Sequence, residues 1–301
     1  MVLVDAHDAN WYDRTRFPNS RREPPLPDYR PCDLSGDVAV ISGCGSETGI
    51  GFACARTLAQ LGARVALTAT TDRVHVRAEE LRRHGAEATA AVGDLTLVAD
   101  VERVVAHAQA SVGPVDIVVN AAGLAQTGVE APSKLVADLA PDDWKRELDV
   151  NLMTAVHLTR MVLPGMTERR YGRVVMVSSV TGPVVAASRL GGYAAAKAAM
   201  DGLMRAVALE YGRSGITANS VAPGWIDTAA STDEERVAGA HTPVGRPGTA
   251  AEVAAVSRSS PPAQPPTLRA SRSSLTAATP SRRFTEPTTT TSRAGREGVG
   301  R

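Results

Sequence analysis

Between residues 36 and 256, short runs rich in Val, Ile and Ala alternate with longer amphipathic stretches of Ala, Leu and Arg. No other feature constrains the fold as strongly. Short apolar runs suit strands buried on both faces, and an amphipathic stretch between two of them can cross back over the sheet as a helix. Strands are expected near 38–42, 64–69, 88–92, 115–120, 173–178 and 216–221, and helices near 49–62, 73–84, 97–112, 141–164, 190–213 and from 249 onward. The expected class is α/β, a doubly wound parallel sheet in a single domain over 36–256.

The flanks differ in composition. Residues 1–35 are rich in Pro and Arg (Pro18, Pro24, Pro25, Pro27, Pro31) without periodicity and read as a disordered N-terminal arm. In 257–301, thirty of 45 residues are Ser, Thr, Pro or Arg, so this segment reads as a low-complexity, disordered tail. The formal net charge is +1, but the tail holds eight Arg against Glu286 and Glu297, which leaves about −5 on residues 1–256. A slightly acidic body gives no reason to expect a nucleic-acid partner. Cys32, Cys44 and Cys54 have no paired spacing, and the six His form no cluster with them. A reducing compartment and no metal are therefore expected. With no apolar run of spanning length and an acidic, polar start at Met1–Asp13, neither a membrane span nor a signal peptide is expected, and the cytoplasm is the expected location.

Two motifs carry chemistry. The first, Val38-Ala-Val-Ile-Ser-Gly-Cys-Gly-Ser-Glu-Thr-Gly-Ile-Gly51, places glycines between a strand and a helix. Such a turn lets the backbone approach a pyrophosphate, and the free N–H groups at the helix start favour its negative charge. The second is Tyr193-Ala-Ala-Ala-Lys197, fourteen residues after Ser179. A cation four residues after a tyrosine lies one helical turn away on the same face, where it is expected to lower a phenol pKa of about 10. Lys197 is one of three lysines (Lys134, Lys145, Lys197) beside thirty arginines, which favours a functional role. Together the motifs read as a nicotinamide-dependent carbonyl/alcohol oxidoreductase.

With these residues assembled, the chain from about Leu34 to Val256 resembles the short-chain dehydrogenase/reductase family, in particular its 3-oxoacyl-acyl-carrier-protein-reductase-like members. The resemblance rests on the glycine turn, Asp94-Leu95, Asn120-Ala121-Ala122-Gly123, Asn151, Ser178-Ser179, Tyr193 with Lys197, and Pro223-Gly224. It implies a Rossmann-type sheet and a hydride exchanged between a nicotinamide cofactor and a carbonyl or secondary alcohol, with a 3-oxoacyl thioester as the substrate class by analogy. Tyr193 is then the acid and base, Lys197 holds the phenolate and the nicotinamide ribose, and Ser179 holds the substrate oxygen. Asn151 supports a water-mediated proton path to the lysine. Gly43, Gly45, Gly49, Ile50, Gly51, Asp94, Leu95, Asn120, Ala121, Gly123, Pro223 and Gly224 are expected around the cofactor, with Tyr193 and Lys197. Ser178 competes with Ser179, which alternation along a strand favours. The glycine turn is two residues longer than the usual family form, which leaves open whether Gly43 or Gly45 faces the phosphate. A homo-oligomer, a tetramer in the family, is implied as well.

Cofactor choice is read at the end of the second strand, where Ala69, Thr70 and Thr71 stand with Arg73 close by. Hydroxyls and a cation suit a 2′-phosphate, so NADP(H) is favoured over NAD(H), with Asp72 arguing the other way. The segment from Pro223-Gly224 to Gly248 resembles the family's substrate lid, with Trp225, Ile226, Val237 and Val244 as candidate pocket groups.

The resemblance breaks at Val256. Taking the third base of each codon with the first two of the next, Ser257–Pro262 can encode Ala-Phe-Leu-Ala-Ser, Pro266–Ala270 can encode Tyr-Val-Thr-Gly, and Ser273–Pro280 can encode Val-Val-Asp-Gly-Gly-Asn-Ser. These segments resemble the family's last helix and strand, in order. A one-base frameshift near Val256 is therefore expected, with that helix and strand lost and an apolar sheet edge left bare. Two alternatives to an active enzyme follow: a non-catalytic NADP(H)-binding protein, or an inactive, poorly folding frameshifted product.

Overall fold

The computed structural model describes residues 33–123, 132–257 and 270–275. Most of the N-terminal arm and of the tail read from the sequence thus lies outside the described residues. In chain order the elements that build the layers are β1 (Val38–Ile41), α1 (Ile50–Gln60), β2 (Arg64–Ala69), α2 (Arg73–Arg83), β3 (Ala88–Val92), α3 (Val98–Val112) and β4 (Ile117–Asn120). After these come α4 (Pro141–Leu148), α5 (Thr154–Arg169), β5 (Gly172–Val177), α6 (Gly191–Tyr211) and β6 (Ile216–Pro223). The lid holds β7 (Ile226–Asp227), α7 (Asp233–Ala240) and β8 (Gly248–Thr249), and is followed by α8 (Ala250–Ser257) and β9 (Ala270–Leu275).

The main sheet is parallel, in the order β3-β2-β1-β4-β5-β6-β9. The order reverses between β1 and β4, which are neighbours in the sheet, and ligands bind outside the strand ends at such a switch point. Alternation along β1 shows why both faces are covered. Val38 and Val40 pack with the buried residues of α3, α5 and α6, whereas Ala39 and Ile41 pack with those of α1, α2 and α8.

Two elements depart from the sequence expectation. The helix expected over 141–164 is two helices, α4 and α5, joined by a π-helical turn at Asp149–Met153. The second runs through Pro164 to Arg169, because a buried stripe from Ala155 through Leu158 and Val162 to Met166 outweighs the hydrogen bond that proline removes. The other departure is β9, which pairs with β6 in parallel from Ala218↔Ala270 to Pro223↔Leu275. The β6 edge, expected bare, is covered there. Ladder hydrogen bonds use backbone groups only, so the Ser- and Arg-rich sequence of β9 does not prevent pairing.

Candidate active site

The C-terminal ends of the strands open into one cavity of about 1870 Å³. That is larger than the ~300–1,000 Å³ typical of a single small-molecule site. Its walls include Gly43, Gly45, Gly49, Ile50, Gly51, Thr70, Thr71, Asp94, Leu95, Ala121, Gly123, Ser179, Tyr193, Lys197, Pro223 and Gly224. Two sequence-predicted residues, Asn120 and Asn151, stand behind the wall, buried to 2% and 0% exposure.

The glycine turn explains its own composition. Gly43 has φ +73°, and a Cβ there would sit 2.6 Å from the Ala121 carbonyl oxygen. A Cβ on Gly51 would sit 2.5 Å from the Ser42 carbonyl oxygen and 2.6 Å from that of Gly43. Gly43 therefore packs the turn against the end of β4, while Gly45 lies close beside Ala69, Thr71 and Arg73 at the end of β2. Two residues of the turn bond outside it. The Thr48 hydroxyl accepts a hydrogen bond from the Ala229 N–H in the lid (2.9 Å), and Glu47 pairs with Arg77 (3.3 Å).

Beside the turn, the Ser42 hydroxyl accepts from the N–H groups of Ala121 (2.9 Å) and Ala122 (3.0 Å). The Asn120 amide donates to Thr159 Oγ1 (3.0 Å) and Met176 Sδ (3.3 Å), tying β4 to α5 and β5. Asp94 Oδ1 accepts from the Thr96 N–H (3.0 Å) and hydroxyl (2.7 Å). At the end of β2, Arg73 Nε donates to Thr71 Oγ1 (3.2 Å), and Asp72 is exposed and not part of the cavity wall.

The end of β5 and the start of α6 bring Ser179, Tyr193 and Lys197 together. Ser178 turns away, its hydroxyl donating to the Lys197 carbonyl (3.1 Å), whereas Ser179 lines the cavity and is hydrogen-bonded to Tyr193. Lys197 Nζ donates to the Val177 carbonyl (3.0 Å) and lies 5.7 Å from the centre of the Tyr193 ring. A Cβ placed on Gly123 (φ +144°) would meet Asn151 Oδ1 at 2.8 Å and Lys197 Nζ at 3.3 Å. Lysine and asparagine thus share one floor, beneath a glycine that leaves them room.

The electrostatics differ from the expectation in one respect. Tyr193 stands above the ordinary phenol range rather than below it, because burial raises it most. The Ser179 hydrogen bond opposes that effect, and the Glu147 and Glu235 carboxylates add to it. Burial pushes the Lys197 ammonium down to about 8, against the pull of the Asp201 carboxylate.

Sequence reasoning passed over Glu147, Asp201 and Glu235. Glu147 is 6% exposed and accepts a hydrogen bond from the Asn151 amide (3.1 Å), and burial raises its pKa. Asp201, 3% exposed, accepts from the Ser220 hydroxyl (2.7 Å). A signal for these two was present, since each lies one helical turn from a singled-out residue, Glu147 before Asn151 and Asp201 after Lys197. Among the described residues, no group of three or more His, Cys, Asp or Glu is arranged to hold a metal ion. No helix among them is long and apolar enough to cross a membrane.

A glycine cradle at the switch point, with a serine, tyrosine and lysine converging beside it, defines an oxidoreductase of the nicotinamide-dependent class. The short chain dehydrogenase family pattern matches residues 37–237, and the chain belongs to that family. It is an oxidoreductase of alcohol and carbonyl groups. It is 37% identical over 195 residues to oxidoreductase UcpA of Salmonella typhimurium, covering 65% of this chain and 71% of that protein. It is also 37% identical over 229 residues to the 3-oxoacyl-[acyl-carrier-protein] reductase FabG of Pseudomonas aeruginosa, covering 74% and 89%. Among solved structures, a gluconate 5-dehydrogenase from Burkholderia cenocepacia, in complex with NADP and tartrate, superposes with a TM-score of 0.73 at 27% identity. That match covers 82% of this chain and 96% of the other.

Proposed function

We propose that this protein transfers a hydride between NADP(H) and a carbonyl or secondary alcohol, with 3-oxoacyl thioesters among its substrates. The observation that carries the reading is the contact of Ser179 with Tyr193, with Lys197 buried one turn further along α6. Gly43, Gly45, Gly49, Ile50, Gly51, Asp94, Leu95, Ala121, Gly123, Pro223 and Gly224 would hold the cofactor, which supplies the hydride when bound. The fit rests on the cradle itself, where a Cβ on Gly43 or Gly51 would strike backbone. NADP(H) is preferred because the hydroxyls of Thr70 and Thr71 and the Arg73 guanidinium suit a 2′-phosphate, and no carboxylate lines that end of β2.

In the reducing direction, the hydroxyls of Ser179 and Tyr193 hold the substrate oxygen. As the carbonyl carbon gains hydride, that oxygen gains the Tyr193 proton and the phenolate remains. The Lys197 cation stabilises the phenolate, and the raised pKa keeps Tyr193 a neutral acid at the outset. Asn151, fixed by Glu147, supports the return of a proton along the lysine side. Oxidation runs the same steps backward. The protein works in the cytoplasm as a homo-oligomer, a tetramer when its C-terminal elements are complete; light scattering on the purified chain tests the assembly. The decisive variant is Tyr193→Phe, which should lose turnover and still bind NADPH, as followed by nucleotide fluorescence. Retained turnover would refute the mechanism. A wild-type chain that binds NADPH but reduces no ketone or 3-oxoacyl thioester would instead be a non-catalytic cofactor-binding protein.

We infer further that residues 257–301 are the translation of a one-base slip. The place of β9 supports this reading, because Ala270–Leu275 begins where the shifted Tyr-Val-Thr-Gly ends and runs into the shifted Val-Val-Asp. Its own Ala-Ser-Arg-Ser-Ser-Leu lacks the apolar run that strands of a covered parallel sheet carry. Sequencing the DNA over the codons for Ala250 to Arg282 tests it. A base that restores the shifted segments yields an intact reductase, whereas an unchanged reading leaves the 301-residue chain as the product, with a weakened sheet edge and impaired activity.

A further inference from the structure

The substrate half of the cavity is roofed by the lid, and its charge is uneven. Asp227, Asp233, Glu234 and Glu235 all line it. Arg236 is the one Lys or Arg side chain from the lid that lines the cavity, and it is already occupied, with Nε on Asp227 Oδ1 (3.1 Å) and Nη1 on Asp233 Oδ1 (3.0 Å). Glu235 is held in place, since its Oε2 accepts the Thr232 N–H (2.9 Å) while its own N–H donates to the Thr232 hydroxyl (3.2 Å).

Around Tyr193 the same imbalance recurs. Glu235 reaches it electrostatically from the lid and Glu147 from α4. Lys197, from its own helix, points its ammonium at the Val177 carbonyl. His241 lines the cavity, but its Nδ1 is engaged with the Val237 carbonyl (2.7 Å). The other cavity-lining guanidinium, Arg73, stands at the far end beside Thr71.

A carboxylate bound near the reacting carbon would meet acids and no uncommitted lid cation. We propose that this site selects substrates that are uncharged around the carbonyl, such as 3-oxo esters and thioesters, and discriminates against 3-oxo and 2-oxo carboxylates. The inference rests on the reductase reading given above and adds the substrate's charge to it. Like-charge placement gives specificity by rejection, so the carboxylates need make no bond to the preferred substrate.

The test compares kcat/KM at low salt, with NADPH, for ethyl acetoacetate and S-acetoacetyl-N-acetylcysteamine against acetoacetate. Both neutral compounds should exceed acetoacetate by at least about tenfold, the scale of one like-charge contact. In Glu235→Gln, which keeps an acceptor for the Thr232 N–H, the ratio should narrow several-fold. Equal or better use of acetoacetate, or a ratio unmoved by Glu235→Gln, would overturn the proposal. If no compound turns over, the reductase reading fails instead. The charge preference is then read from binding of the ester and the acid to the NADPH-loaded protein, where tighter binding of acetoacetate overturns it.

Discussion

Replacing Lys197 by Met should make the apo protein more stable while removing its activity. The ammonium is 4% exposed and has its pKa pushed from 10.5 down to about 8 by burial. That shift corresponds to about 3 kcal/mol by which the unfolded chain favours the charged form more than the folded chain does. The folded pKa lies below the unfolded one, so the penalty is fully present below pH 8 and fades as pH rises toward 10.5. Methionine fills a similar volume without charge but leaves the Val177 carbonyl without its donor, at a cost of about 1 kcal/mol. The balance is a gain of about 2 kcal/mol at pH 7, or roughly 5 °C in Tm for a domain of this size. Urea melts of both proteins between pH 7 and 10.5 measure it, with NADPH-dependent ketone reduction followed in parallel. The gain should shrink as pH rises above 8, where the wild-type lysine sheds its proton. A variant less stable at pH 7, or a difference that does not change with pH, would show that the lysine is not penalised by burial.

Three further outcomes are expected. In Asp201→Asn the carboxylate that supports the Lys197 charge is gone, so the alkaline fall in reduction, expected near pH 8, should move to lower pH in the kcat/KM profile. Gly51→Ala puts a Cβ 2.5 Å from the Ser42 carbonyl oxygen, and should cost about 2–3 kcal/mol in urea melts and weaken NADPH binding measured by fluorescence. Thr48→Val removes the acceptor of the Ala229 N–H, and should speed amide exchange over 228–231 and raise KM more than it changes kcat.

How far the sequence could be read follows from which forces act locally. The first six strands of the main sheet fall within two residues of their expected ends, because apolar runs flanked by turn residues are a local signal. The motif residues Gly43, Gly51, Ser179, Tyr193 and Lys197 were legible because each needs a particular chemical group or the lack of a Cβ. The π-helical turn at Asp149–Met153 was not, since its apolar spacing reads as one helix, and the extra residue appears only when α4 and α5 are packed. The helix end expected at 164 was also too early, because tertiary burial carries α5 through Pro164 to Arg169. β9 had no apolar signal at all, and its place rests on backbone pairing with β6.

The residues that were missed have one property in common. Glu147 and Asp201 are carboxylates nearly sealed from solvent, each on the buried face of a helix where periodicity calls for an apolar side chain. A buried carboxylate is costly unless its partners are fixed, and here the partners are an asparagine one turn later and a serine on β6. Such conflict between local pattern and residue type is expected at a working site, where stability gives way to chemistry. The two carboxylates flank the pair that does the work, one reaching Asn151 and Tyr193, the other Lys197. Their charges act in the same sense on the proton path, since Glu147 keeps the proton on Tyr193 and Asp201 keeps the proton on Lys197. A neutral phenol beside a cation is the pairing that carbonyl reduction needs at its start, and each carboxylate preserves one half of it.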